Sequence, residues 1–556
     1  MPESPVSPPE ERRPCCNPPA EMEVLDSITG AVIETGEEFV VPATATTSPQ
    51  HGRFIVNLIS NIALFGFNLL VGLWYTPYLI DHLGAAAYGI IPLVSQITNF
   101  MIVATATLNS AAGRYITIAL EQNDDEEANR YFNTSLFGSI LLVLLLIPLT
   151  VGAAVYLDSI IVVPKGQETQ TRWLFICTVA GFFLGTLQSP FGVSCFCRNR
   201  FDLQNTINLI QCVARVGLVV AFFSLVTPQI WQIGLANLAA MCFGWGWSIR
   251  LWRKLTPTLS ISISHFTRKA FQSLFSTGGW IAINLVGSIL YLNIDLLVVN
   301  RMFGPEPAGR YAAILQWSIL LRTLAGVVAI LFGPTILYYY TRHDIEGLSR
   351  YGRQAVKMVG LMLALPIGLI CGFSEPLLQT WLGPQFVDLA WLMSLTTAHL
   401  SVNVAVSPLF SIQTATNCVR IPAIVTVVMG AGNLGLAIFL AGPMGWGLYG
   451  VAAAGAISLT AKNLIFTPLY AAYILGRRSD AFFWEMLPIV FATVGTAAIG
   501  KLMGTTWNLS GWFHLIAAGA AVSAVYAVVS YWMLLSREER VLAWGMVPSL
   551  KLHNRS

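Results

Sequence analysis

From Phe54 onward the chain alternates long apolar runs with short polar breaks, and the runs have the length a helix needs to cross a hydrocarbon core of roughly 30 Å. The pattern predicts fourteen membrane-spanning helices: 54–80, 88–118, 131–157, 173–195, 206–226, 229–251, 274–300, 308–338, 354–374, 387–412, 421–441, 446–475, 484–504 and 511–535. An even number puts both ends of the chain on one side of the membrane. Residues 1–52 stand apart, because nine prolines, nine acidic residues and no long apolar run predict a disordered acidic tail.

A repeat is visible in the polar breaks. HLGAAAYGIIPLVSQI at 82–97 aligns without gaps with MFGPEPAGRYAAILQW at 302–317, an offset of 220 that matches Gly84 with Gly304, Gly89 with Gly309 and Gln96 with Gln316. Each stretch joins the first two helices of a six-helix set. The expected organisation is therefore a tail 1–52, a six-helix lobe 53–255, an inter-lobe loop 256–273, a second six-helix lobe 274–476, helices 13 and 14 over 477–536, and a terminal tail 537–556.

Composition agrees with this reading. Hydrophobic residues make up 55% of the chain and charged residues 11%, against about 25% in soluble domains. The class is an all-α polytopic membrane protein. A net charge of +3 gives no reason to expect nucleic-acid binding. The placement of the basic residues says more: 22 lie in the tails and the loops after even-numbered helices, and five in the opposite loops. By the positive-inside rule both termini are expected in the cytoplasm.

The four remaining basic residues, Arg114, Arg215, Arg322 and Lys462, fall within spans. Arg322 and Lys462 lie about 21 and 24 Å from one end of their predicted helices, Arg215 roughly 14 Å in, and Arg114 close enough to the cytoplasm to snorkel. A cation at such depth costs roughly 2.5 to 3.5 kcal/mol even on lenient scales, so it faces protein or water. Asp295 is the acidic residue inside a span, and Glu375 and Asp388 lie at margins, too few to neutralise the cations. Unpaired cations predict an anionic ligand. The structural alternatives are an Arg322 pair with Asp295 and an Arg215 that reaches the headgroups. His399 reads as a coupling group or, more simply, as a hydrogen-bonded packing residue. Cys195 and Cys197 form only a C-x-C, and no metal or cofactor is expected. Prolines at 92, 148, 190, 334, 366, 408 and 468 lie within apparent spans and predict kinks or hinges.

The segments NLISNIALFGFNLLVGLWYTPYLIDHLGAAAYGIIPLVSQITNF and LYLNIDLLVVNRMFGPEPAGRYAAI, with Arg114 and Tyr115 closing the first helical pair, resemble the polysaccharide and O-antigen flippases of the multidrug, oligosaccharidyl-lipid and polysaccharide flippase superfamily. The resemblance implies a V-shaped pair of lobes in the bacterial inner membrane that carries a polyprenyl-pyrophosphate-linked oligosaccharide to the outer leaflet, with polysaccharide polymerase and export machinery as partners. It also implies a cationic cavity, for which Arg322, Lys462 and Arg215 are the candidates and Asp295, His399 and Arg114 the accessory polar groups.

Two readings within the superfamily compete, a lipid II-type flippase and a cation-coupled multidrug exporter. The exporter is disfavoured because helix 1 has no acidic residue and the buried charges are mostly positive. A membrane enzyme would need an acid, base or metal group in a sizeable loop, yet the loop at 256–274 is basic with one histidine and no carboxylate. A non-transporting scaffold gives no return for polar groups kept at the midplane.

Overall fold

The computed structural model describes residues 49–534 apart from 330 and 508, together with 536 and 540. The expected acidic tail lies outside the described residues as far as 48, and so does nearly all of the terminal tail. Every described regular element is helical. The first half of the chain folds into α1 (Pro49–Leu83), α2 (Ala85–Glu121), α3 (Asp125–Val155), α4 (Glu168–Cys197), α5 (Phe201–Leu225) and α6 (Ile230–Leu255). The second half gives α7 (Arg268–Leu292), α8 (Ile294–Phe303), α9 (Pro305–Ala329), α10 (Gly333–Thr341), α11 (Ile345–Gly372), α12 (Ser374–Trp381), α13 (Ala390–Ala398) and α14 (Ser407–Ala415). It continues with α15 (Arg420–Ala441), α16 (Gly447–Thr460), α17 (Thr467–Ile474), α18 (Leu487–Thr506) and α19 (Gly511–Val529).

Among the described residues eleven helices are long and apolar enough to cross a membrane, or thirteen if two bent pairs each count as one span. The expected count of fourteen is not reached. The segment expected over 229–251 is helical as α6, but glutamine, asparagine and glycines interrupt it and Arg250, Arg253 and Lys254 end it, so it falls short in apolarity. The bent pairs are two expected spans that break midway. One bends by 40° at Asn293 between α7 and α8, and the other by 42° between residue 403 and α14. Two of the expected kink prolines, Pro334 and Pro408, sit in the first turn of a new helical segment, where a missing N–H costs nothing, while Pro468 lies inside the continuous helix Gly447–Ile474 directly after its π-helical turn.

The offset of 220 recurs in the backbone. Gly84 and Gly304 both turn the chain with positive φ, 80° and 91°, and Asn123 and His343 do so at 57° and 55°. Asp124 and Asp344 then cap the following helices, accepting from the Glu127 and Gly347 amides at 2.9 and 2.8 Å. A further left-handed pair, Asn199 and Asn417, follows α4 and α14 at φ 51° and 55°. The turns at Asn123, Asn199, His343 and Asn417 share one face of the molecule with the start of α1 and with most of the loop arginines, and it is called the basic face below. Gly84, Gly304, Gly383 and Gly445 mark the opposite face.

The repeated corners meet. The first turns of α2 and α9 cross so closely that a Cβ on Gly89 would lie 2.6 Å from the Gly309 Cα, and one on Gly309 would overlap the Ala85 carbonyl. Only glycine at both positions permits that approach. On the basic face the chain crosses from the first half to the second along α3. Asn129 donates to the Thr258 carbonyl and accepts from the Ser260 amide (3.0 and 2.8 Å), and Asn133 does the same with Ser260 and Ser262 (2.8 and 2.9 Å). Two asparagines one turn apart thus hold residues 258–262 as an edge strand would. The last two helices attach to the second half, where α18 lies along α11.

Candidate functional site

A cavity of about 740 Å³ lies between the halves, walled by α1, α2 and α5 on one side and by α9 and the Asn293 break on the other. Spacing explains the wall of α1. Asn61, Phe65, Asn68, Gly72, Tyr75 and Leu79 recur every three or four residues and share one helical face. On α2 the lining runs through Ser95, Gln96 and Asn99, and on α9 through Gln316 and Thr323. Gly72 leaves room for the Gln316 amide, because a Cβ there would lie 2.9 Å from the Gln316 Nε2. The lining contains carboxamides, hydroxyls and apolar surface, no carboxylate, and one charge, Arg215.

Helix α5 begins at Phe201, five residues before the expected 206, so Arg215 lies about 21 Å along the helix from its first residue. Among the described residues the hydrogen-bond contact of Arg215 is a long one to the Cys212 sulfur at 3.7 Å. The Arg215 Nε, the Tyr75 hydroxyl and the Gln96 Oε1 are all buried without a hydrogen-bond partner. All three residues line the cavity, and these atoms lie just behind its surface, where a small side-chain rotation would bring them to a ligand. Gln96 and Gln316, matched in the repeat, both reach this wall.

The other expected cations are elsewhere. Arg322 is next to Thr323 on α9 but turns toward the interior of the second half, where Asp295, Tyr291 and Tyr311 are within electrostatic reach. Its Nε is also unpartnered. Asp295, 9% exposed, accepts from the Asn433 amide at 3.2 Å, and among the described residues no ion pair within 4 Å joins it to Arg322. Lys462 is buried with its Nζ 5.3 and 5.1 Å from the Tyr291 and Phe410 ring centres, positioned by a π-helical turn over Ala461–Phe466. His399 meets Asn403 at 2.9 Å, which also reaches Thr460 at 3.0 Å. Arg322, Asp295 and His399 are thus brought near one another inside the second half, and neither Arg322 nor Lys462 lines the cavity. Arg114 is exposed at a separate recess of about 410 Å³ beside Gln204.

Toward the opposite face the two halves are joined by side chains. The Asn300 amide donates to the Val162 carbonyl and accepts from the Val162 N–H, at 3.0 and 2.7 Å. Trp381 donates to the Leu73 carbonyl at 2.6 Å. With the Gly89 and Gly309 crossing, these contacts close the cavity on that face. Neither Asn300 nor Trp381 was singled out from the sequence. Pro77, which frees the Leu73 carbonyl, is the signal that was there to be read.

The family model described as polysaccharide biosynthesis protein matches residues 54–336. The chain is 37% identical over 490 residues to the uncharacterized membrane protein EpsK of Bacillus subtilis (strain 168), covering 88% of this chain and 97% of that one. It is 22% identical over 353 residues to a putative O-antigen transporter of Shigella flexneri, covering 60% and 77%. Among solved structures, the lipid II flippase MurJ in an inward closed conformation superposes with a TM-score of 0.63 at 14% identity, over 87% of this chain and 99% of that one. An inward-facing multidrug resistance transporter of the MATE family gives 0.56 at 16% identity, over 79% and 98%. At these identities the likeness is one of fold.

Proposed function

Because the chain belongs to the family of polysaccharide biosynthesis proteins, as a multi-pass membrane protein with the fold of flippases and multidrug transporters, we propose that it moves a polyprenyl-pyrophosphate-linked oligosaccharide from the inner to the outer leaflet of the plasma membrane. The product is a repeat unit for surface polysaccharide, delivered to a polymerase and export machinery. The basic face is cytoplasmic and both termini lie there. The lobes are 53–255 and 274–476, with 477–536 appended to the second, and they rock about the cavity by alternating access.

The observation that carries this reading is the cavity itself, with an arginine as its one charge, that arginine's Nε unsatisfied, and no carboxylate in the wall. A pyrophosphate in a site of low dielectric needs a guanidinium, whose planar fork holds two phosphate oxygens at once. The carboxamides of Asn61, Asn68, Asn99 and Gln96 both donate and accept, as neutral sugar hydroxyls require. A cationic drug would find no acidic partner there. Arg215 makes the first phosphate contact. Arg322, one residue from the wall, makes the second once the lobes rotate, with Lys462 behind it. Asp295 and His399 hold the second lobe's polar interior.

Reconstitution tests the proposal. Purified protein in vesicles should expose a fluorescent polyprenyl-pyrophosphate-linked sugar to the opposite leaflet faster than empty vesicles do, with or without a proton or sodium gradient. Vesicles no faster than empty ones under every gradient would overturn it.

A further inference from the structure

On the opposite face, away from the cavity, a recess of about 420 Å³ lies between the start of α9, residues 384–389 and the turn before α16. Its walls carry Glu306, Arg310, Asp388, Trp446 and Tyr449. Trp446 is 50% exposed and Tyr449 42% exposed, so the protein leaves two large rings uncovered at its rim. A tight backbone turn carries one of them. Gly445 and Gly447, with φ of 71° and 56°, flank Trp446, and the Trp446 amide is tied to the Leu440 carbonyl at 3.0 Å. The two left-handed glycines shape the tight turn that places Trp446 at the rim.

The floor is polar and ordered. Arg310 donates to the Gln385 carbonyl at 2.7 Å, pairs with Asp388 and lies over the Phe386 ring at 5.6 Å. Among the described residues nothing pairs with the Glu306 carboxylate. The recess therefore has two carboxylates to one guanidinium, and its net negative charge repels a phosphate. What remains is a surface with strong acceptors, a fixed donor and two exposed ring faces. A pyranose fits that combination: its hydroxyls donate to carboxylates and accept from arginine, and its positively polarised C–H face packs on the negative face of an aromatic ring. The volume is within the usual range for small-ligand sites.

We propose that this recess binds a neutral sugar unit of the exported glycan on the outer face of the membrane, separately from the phosphate end held in the cavity. The proposal rests on the reading that the chain exports a glycan with its basic face in the cytoplasm. Interfacial belts also hold tryptophan and tyrosine at headgroup level, so the test must separate sugar from headgroup.

The experiment uses the full chain in nanodiscs, with neutral tetrasaccharides of glucose, galactose and N-acetylglucosamine as probes and saturation-transfer NMR as the readout. At least one probe should give a saturable signal, weakened about tenfold or more by Trp446→Ala and by Glu306→Gln and largely kept by Trp446→Phe. No saturable signal from any probe overturns the proposal. So does a signal that survives Trp446→Ala, or one displaced by phosphocholine or phosphoethanolamine. Lipid-linked sugar flipping by the wild-type protein is scored apart, so failure of the transport reading and failure of this site are distinguishable.

Discussion

Trp381 donates its indole N–H to the Leu73 carbonyl at 2.6 Å, and the cause lies four residues along α1, at Pro77. Proline has no amide hydrogen, so the carbonyl four residues before it loses its helical partner. In the membrane such a group must be satisfied from another element. A tryptophan from the second half supplies the donor, and a local defect in one helix becomes a joint between the halves.

This joint yields a double-mutant test. Trp381→Phe keeps a ring against Trp317, 5.4 Å away, but removes the donor, and should cost about 1–3 kcal/mol. Pro77→Ala returns the helical partner to Leu73, so in that background Trp381→Phe should cost less than about 1 kcal/mol. Thermal unfolding of the four proteins in detergent reads the cycle. Equal costs in both backgrounds would show that the carbonyl does not depend on the indole.

Gly309 gives a second test, this time of close approach. A methyl group there has no space against the Ala85 carbonyl, while one at Gly66 meets nothing within 4 Å. Gly309→Ala should lower stability by about 1–3 kcal/mol and force α2 and α9 apart, and Gly66→Ala should stay within about 1 kcal/mol of wild type. Thermal unfolding of both variants in detergent reads the difference. Wild-type stability in Gly309→Ala would mean that the crossing is looser than described.

The crossing also shows what the sequence makes legible. Three identities in the repeat locate the meeting of the halves, because close backbone approach and tight turns demand glycine and leave few substitutes. The left-handed pair Asn123 and His343 belongs to the same repeat but shares no identity, since asparagine and histidine both tolerate that conformation. Helix positions follow from apolar length, and depth along a helix follows from counting. The direction a side chain faces does not. Arg322 and Thr323 are neighbours at one depth, and only the packing of α9 sends Thr323 to the cavity and Arg322 inward. For Arg215 the helix is longer than apolar length alone predicts, because the polar start of α5 from Phe201 to Asn205 is helical too.

Topology is the third test. Reporters fused after Arg130, Arg198, Arg268, Arg350 and Arg478 should all signal cytoplasm, and those near Lys165 or Gly383 the outside, because basic residues concentrate in the first set of loops. The fusion after Arg268 is the most informative, as it sits where the chain passes between the halves. An external signal there would break the assignment of both lobes to one orientation.

The fourth prediction separates the cations. If Arg215 holds the phosphate, Arg215→Ala should slow flipping about thirtyfold, equivalent to losing roughly 2 kcal/mol of charge-assisted contact, while thermal stability changes little because its Nε has no protein partner to lose. Arg215→Lys should recover part of the rate, since the charge remains and the fork is lost. Arg322→Ala should also stop flipping if Arg322 takes the phosphate after the lobes rotate. The rival role for Arg322 is structural, supporting Asp295 beside Asn433. In that case Asp295→Asn would destabilise the protein as much as Arg322→Ala, and the double variant would regain stability. Rates and melting temperatures for these variants decide the matter. An Arg322→Ala protein that melts early but, below its melting point, flips at the wild-type rate confines the phosphate contact to Arg215. Wild-type flipping by Arg215→Ala and Arg322→Ala alike would remove the cationic cavity from the mechanism.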